Sequence, residues 1–153
     1  MEIKAHVVSQ GLAEGDTVVY RGPFSFTGDV DPETGCFAAG HPLAGITIVG
    51  KILVFTTARG SSSGSIAAWE AVQRNKAPAA MVCLEADSGL ACAAITADIP
   101  LLDRLEESFF EKVESGDRIR VDAYAGLIHV MEKRDPSVAD GLLEFRKRRE
   151  AGW

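Results

Sequence analysis

The sequence predicts an α/β domain of layered β/β/α architecture, and three observations predict it. Ile52-Leu53-Val54-Phe55 is an apolar run that leads into the loop Gly60-Ser61-Ser62-Ser63-Gly64, with a helical pattern directly behind it. Ala79 to Leu84 is a second, continuous apolar run, the mark of a strand buried on both faces. Further β segments stand before and after this βαβ unit, so the chain reads as strands, one or two crossovers, and strands again.

Taken in order, Glu2 to Ser9 alternates as a strand, and Gly15-Asp16 reads as a turn into a second strand, Thr17 to Tyr20. Gly22 to Gly45 is a long irregular stretch rich in Gly, Pro and Asp, the kind of loop that is functional or packed by its own side chains. Ile46 to Val49 and Ile52 to Phe55 read as strands separated by a tight turn at Gly50-Lys51. A helix over 64–75 carries Ile66, Ala67, Trp69, Ala71 and Val72 and stops before Pro78. With strand 79–84 it completes the βαβ unit, whose two strands should be parallel. Ala91 to Ala97 is small and apolar and fits a strand or a helix. Ile99 to Leu102 reads as a short strand, Glu106 to Glu114 as a short helix, and Arg118 to Asp122 and Leu127 to Met131 as late strands. Val138 to Glu150 reads as a tail helix with Leu142, Leu143 and Phe145 apolar and a basic end, Arg146 to Arg149.

The chain is 153 residues long, enough for one domain with a real core. A net charge of −6 disfavours general binding to nucleic acid or to anionic membranes. The first residues, MEIKAHVVSQG, lack the apolar centre of a signal peptide, and no run approaches the roughly 18 apolar residues of a membrane span. The expectation is a cytoplasmic protein. Cys36, Cys83 and Cys92 are odd in number and irregularly spaced, with no C-x-x-C, so neither a disulfide framework nor a self-contained zinc or iron–sulfur site is expected.

The serine loop carries the chemistry. The first backbone N–H groups of a helix have no internal partners, so a serine there can cap the helix or the loop can cradle an anion. Gly60 and Gly64 let a ligand approach the backbone closely. The loop is neither G-x-x-x-x-G-K-[ST] nor G-x-S-x-G, so phosphate-loop and nucleophile-elbow readings fail. A serine acting as base needs its alkoxide stabilised. A helix N-terminus supplies at most about 2 kcal/mol, which is about 1.5 pKa units, so a further positive group is required. Arg59 is adjacent and reads as either a substrate clamp or a solvated charge. Asp29 and Asp31 in GDVDPETG are acid/base candidates by type, although Asp before Pro is also turn chemistry. His6, His41 and His129 are scattered, and His41 in GHPL reads as structural.

FSFTGDVDPETG, HPLAG, GKILVFTTARGSSSGS, APAAMV and ITADIPLLD, in that order from about Ile3 to about Ala123, resemble the small subunit, or swivel domain, of the aconitase X family. The resemblance implies a swivelling β/β/α domain like the mobile domain of aconitases, with residues 1–123 as the swivel domain and 124–153 as a C-terminal strand and basic helical tail. It implies a hydro-lyase, active only with a larger subunit that carries an iron–sulfur cluster, this chain binding none alone. In aconitases the swivel domain supplies a G-S-S-R loop whose first serine is the base. Carried over, Ser61 is the base and Arg59, Gly60, Ser62 and Ser63 bind substrate. Ser63 stands where that loop has arginine, and Asp29 stands where the family often shows glycine.

The family suggests two small hydroxy acids as substrate, mevalonate 5-phosphate and cis-3-hydroxy-L-proline. A phosphorylated substrate favours several basic groups near Ser61. Only Arg59 and Lys51 offer themselves, which leans the reading slightly toward the hydroxyproline. Two other functions compete: a non-catalytic swivelling module that binds a ligand or partner, and a phosphoryl carrier, for which the serine loop lacks a histidine.

Overall fold

A computed structural model describes residues 2–59 and 64–133. The strands are β1 (Glu2–Lys4), β2 (His6–Ser9), β3 (Leu12–Val19), β4 (Ile52–Thr57), β5 (Ala80–Glu85), β6 (Leu101–Asp103), β7 (Arg118–Asp122) and β8 (Leu127–Glu132). The helical elements among the described residues are α1 (Phe26–Asp29), α2 (Gly64–Gln73), α3 (Ser88–Ala97) and α4 (Phe109–Lys112). No helix among them is long and apolar enough to cross a membrane.

The strands form an eight-stranded sheet in the order β1-β8-β7-β3-β4-β5-β6-β2. β3, β4, β5 and β6 run parallel, and the remaining pairings are antiparallel. β3 serves both halves. Its first part, Leu12 to Asp16, pairs with β7, and its last part, Thr17 to Val19, pairs with β4. Gly15 is therefore mid-strand, opposite Ile119, and not a turn. A side chain there would meet the Gly50 carbonyl oxygen 3.0 Å from its Cβ, so a close backbone approach explains this glycine.

Alternation along the parallel strands builds two cores. Leu53, Phe55, Met81, Cys83 and Leu101 face the helical layer, where Ala68 of α2 and Leu90, Ala93, Ala94 and Ala97 of α3 meet them. Ile52, Val54, Ala80, Val82 and Leu102 face the other way, onto Ile119, Val121, Ile128 and the α4 pair Phe109 and Phe110. Strands buried on both faces are why these segments read as unbroken apolar runs. The outcome is the β/β/α layering expected.

Three further segments differ from expectation. Glu2 to Ser9 is two strands divided at Ala5, one at each end of the strand order. Ile46 to Val49 forms no strand. Thr47 makes an isolated bridge to Cys36, and fully buried Ile48 plugs the core beneath the long loop. The Gly50-Lys51 turn is present, closed by the Lys51 N–H on the Ile48 oxygen at 3.1 Å. The helix expected over 106–114 shortens to α4, whose two phenylalanines are buried. Ala91 to Ala97 resolves as helix: Asp87 accepts the Leu90 N–H at 2.8 Å, and Asp98, in left-handed backbone, closes the far end on Ala94 and Ile95. The expected tail helix lies outside the described residues.

Candidate active site

The carboxyl ends of parallel strands are where α/β sheets bind ligands. β4 ends at Thr57, and the chain runs on to Arg59 before α2 begins at Gly64. This exit is braced by the start of the long loop. Phe24 donates its N–H to Thr57 O at 2.9 Å, and Arg59 donates its N–H back to Phe24 O at 2.8 Å. Phe24 is anchored in turn by aromatic packing on Phe26, Phe37 and Phe55, with ring centroids 5.2, 6.2 and 5.2 Å away. The irregular Gly22–Gly45 stretch is thus packed by its own phenylalanines against the end of β4.

Arg59 is fixed at its other end too. Its Nη2 donates to Asp29 Oδ1 at 2.7 Å, the Asp29 side chain being 7% exposed and that of Arg59 55%. Asp29 Oδ2 takes the Ser25 N–H at 2.9 Å, and the Asp29 carbonyl takes the Ala38 N–H at 2.8 Å. Gly28, at φ +93, gives the kink that presents Asp29, and the guanidinium passes over it, 3.9 Å from where a Cβ would stand. Asp31 does different work: it accepts the Glu33 N–H at 2.9 Å, ordinary Asx-turn chemistry.

His41 enters the same neighbourhood. Its ring stacks on Phe37 at 4.3 Å and lies 4.5 Å from Tyr20. Nδ1 accepts the Leu43 N–H at 3.0 Å, which places the neutral ring's proton on Nε2. That Nε2 is buried and has no partner among the described residues. Burial lowers the His41 pKa, the Asp29 charge raising it and that of Arg59 lowering it further. Lys51 lies away from this group. It precedes β4 and sits 3.9 Å from Asp16, with the length of β4, roughly 20 Å at about 3.3 Å per residue, between it and the serine-loop end.

Of the candidate site residues, Arg59 is described and held at the mouth of the loop, while Gly60, Ser61, Ser62 and Ser63 lie outside the described residues. Among the described residues no three His, Cys, Asp or Glu side chains gather to hold a metal ion. Burial, the largest cause, pushes the Cys83 thiol up to about 12, the reverse of what a metal-bound thiolate needs. The described residues do not fit a cluster.

Residues 2–130 match the family described as the aconitase X swivel domain. The phosphomevalonate dehydratase small subunit of Methanosarcina acetivorans is 36% identical over 141 residues, covering 92% of this chain and 98% of that one. The protein of the same description from Methanothrix thermoacetophila is 45% identical over 124 residues, 80% of this chain and 90% of that one. The crystal structure of aconitase X from Thermococcus kodakaraensis in its holo-form superposes with a TM-score of 0.80 at 39% identity, over 86% of this chain and 99% of that one.

Proposed function

The chain belongs to the aconitase X swivel-domain family, and from that premise we propose that it is the small subunit of a hydro-lyase that dehydrates mevalonate 5-phosphate. The single observation that carries the reading is the strand–loop–helix exit of β4. A braced arginine, Arg59, stands at the head of a serine loop that opens onto the N-terminus of α2. Similarity to proteins described as phosphomevalonate dehydratase small subunits supports the phosphorylated substrate over cis-3-hydroxy-L-proline.

In this reading Ser61, as its alkoxide, takes the proton from the carbon beside the substrate carboxylate and becomes the neutral hydroxyl, while the C–H pair forms the new C=C bond and the hydroxyl on the neighbouring carbon leaves with the C–O pair. The helix N-terminus favours the alkoxide that starts the step by at most about 2 kcal/mol. Arg59, with the Gly60, Ser62 and Ser63 backbone, holds the anionic substrate, since a guanidinium donates to carboxylate or phosphate in a fixed fork. Closure against a larger subunit excludes water and strengthens each of these interactions. That subunit carries the iron–sulfur cluster in this scheme. The exposed Ile66 and Trp69, on the first turns of α2 beside the loop, suit a surface that such a partner covers.

The test is a dehydration assay on the anaerobically assembled complex with the larger subunit. Wild type should turn over mevalonate 5-phosphate. Ser61→Ala should lower kcat by at least about 100-fold, the usual weight of a general base, in a complex that still assembles. Turnover of cis-3-hydroxy-L-proline instead would reassign the substrate. Undiminished turnover by Ser61→Ala would place the base elsewhere. A complex that turns over neither compound would favour the non-catalytic swivelling module.

A further inference from the structure

The scheme above leaves Asp29 unused, and we propose that Asp29 is a positioning residue: through its bond to Arg59 it fixes how the guanidinium meets the anionic end of the substrate. The inference rests on Arg59 being a substrate-binding group.

The geometry is asymmetric in the way such a role needs. An ion pair between two exposed side chains is weakly directional and contributes little. Here one partner is immobile. The Asp29 carboxylate is buried, and its second oxygen is taken by the Ser25 N–H at 2.9 Å. Its main chain is tied to Ala38 at 2.8 Å. The other partner is half exposed and needs a direction. Arg59 is held at its backbone by Phe24 at 2.8 Å and at Nη2 by Asp29 at 2.7 Å. A guanidinium has five N–H donors, so the carboxylate leaves most of them for a ligand. Gly28 adds no side chain between the guanidinium and its surroundings.

Asp29→Asn breaks this link selectively. An Asn has one acceptor oxygen. When that oxygen keeps the Ser25 N–H, the amide NH2 faces Arg59, donor against donor. The Ala38 and Phe24 main-chain bonds remain, so the loop keeps its frame. The experiment measures kcat and KM for mevalonate 5-phosphate in the assembled complex, for wild type, Asp29→Asn, Arg59→Gln and the double variant. Melting temperatures report on the fold, and the hydroxyproline serves as second substrate.

Asp29→Asn should raise KM by about tenfold, as when a long side chain must be ordered by the substrate itself, with kcat changed far less. In the Arg59→Gln background the same substitution should change nothing more, because a residue that acts only through Arg59 has nothing left to act on. A fall or no change in KM for Asp29→Asn overturns the proposal, and so does an equal rise in both backgrounds, which would mark a role in the loop's frame. If Arg59→Gln leaves KM unchanged, the substrate-binding reading of Arg59 fails and takes this one with it. Ser61→Ala, run alongside, reports on the base independently. Turnover of neither substrate by wild type would defeat the functional reading and the role of Asp29 together.

Discussion

His41 is held neutral by burial against Phe37 and Tyr20, and this links stability to pH. The folded-state pKa lies below the ordinary 6.5, so under acid the unfolded chain binds the proton more readily than the folded one. The contribution is fully present above pH 6.5 and is lost as pH falls from there toward the folded-state value. His41→Asn keeps an acceptor for the Leu43 N–H and removes the titrating ring. Urea unfolding at pH 7.5 and 5.5 should show a smaller acid loss for the variant than for wild type. Equal losses would mean that His41 is not the linked group. His41 and Asp31 show what single residues reveal on their own. The D-P-E-T-G pattern announces its turn locally, and the turn is there. Asp29 looks the same in the sequence, but its role depends on Arg59, 30 residues later, and no local pattern encodes that pairing.

The segments that were legible are those whose local chemistry and burial agree. β4 and β5 are unbroken apolar runs because both faces are packed, and they emerge within two residues of expectation. Ile46 to Val49 has strand composition too, but Ile48 is spent filling the space under the loop. Composition cannot separate these uses of a β-branched residue. In α3 the small residues left strand and helix equally open, and the ends decide. Asp87→Ala removes the acceptor for the Leu90 N–H and should cost about 1 kcal/mol, read as a shift in the urea midpoint at unchanged slope. No shift would mean that packing on α2, not the cap, holds this helix start.

For the molecule as a whole, the tail lies outside the described residues. We propose that it docks on the larger subunit through Leu142, Leu143 and Phe145. Truncation at Asp135 should abolish co-elution of the two subunits in size-exclusion chromatography while leaving the melting temperature of this chain unchanged. A complex that forms equally well without the tail rejects the idea. The layered body to which the tail is joined ends in β8, paired to both β7 and β1.

β1 and β2 occupy opposite ends of the strand order, yet only Ala5 separates them, its N–H bonded to Gly126 O at 2.9 Å. The sheet therefore curls until its two margins are successive stretches of one segment, three and four residues long. So short a margin offers little template for a foreign strand. Recognition by any partner then falls to side chains and loops, above all at the end where β4 gives way to α2. Residues 2–9 cover β8 and β6 at once, so removing that one segment would expose two strand edges together.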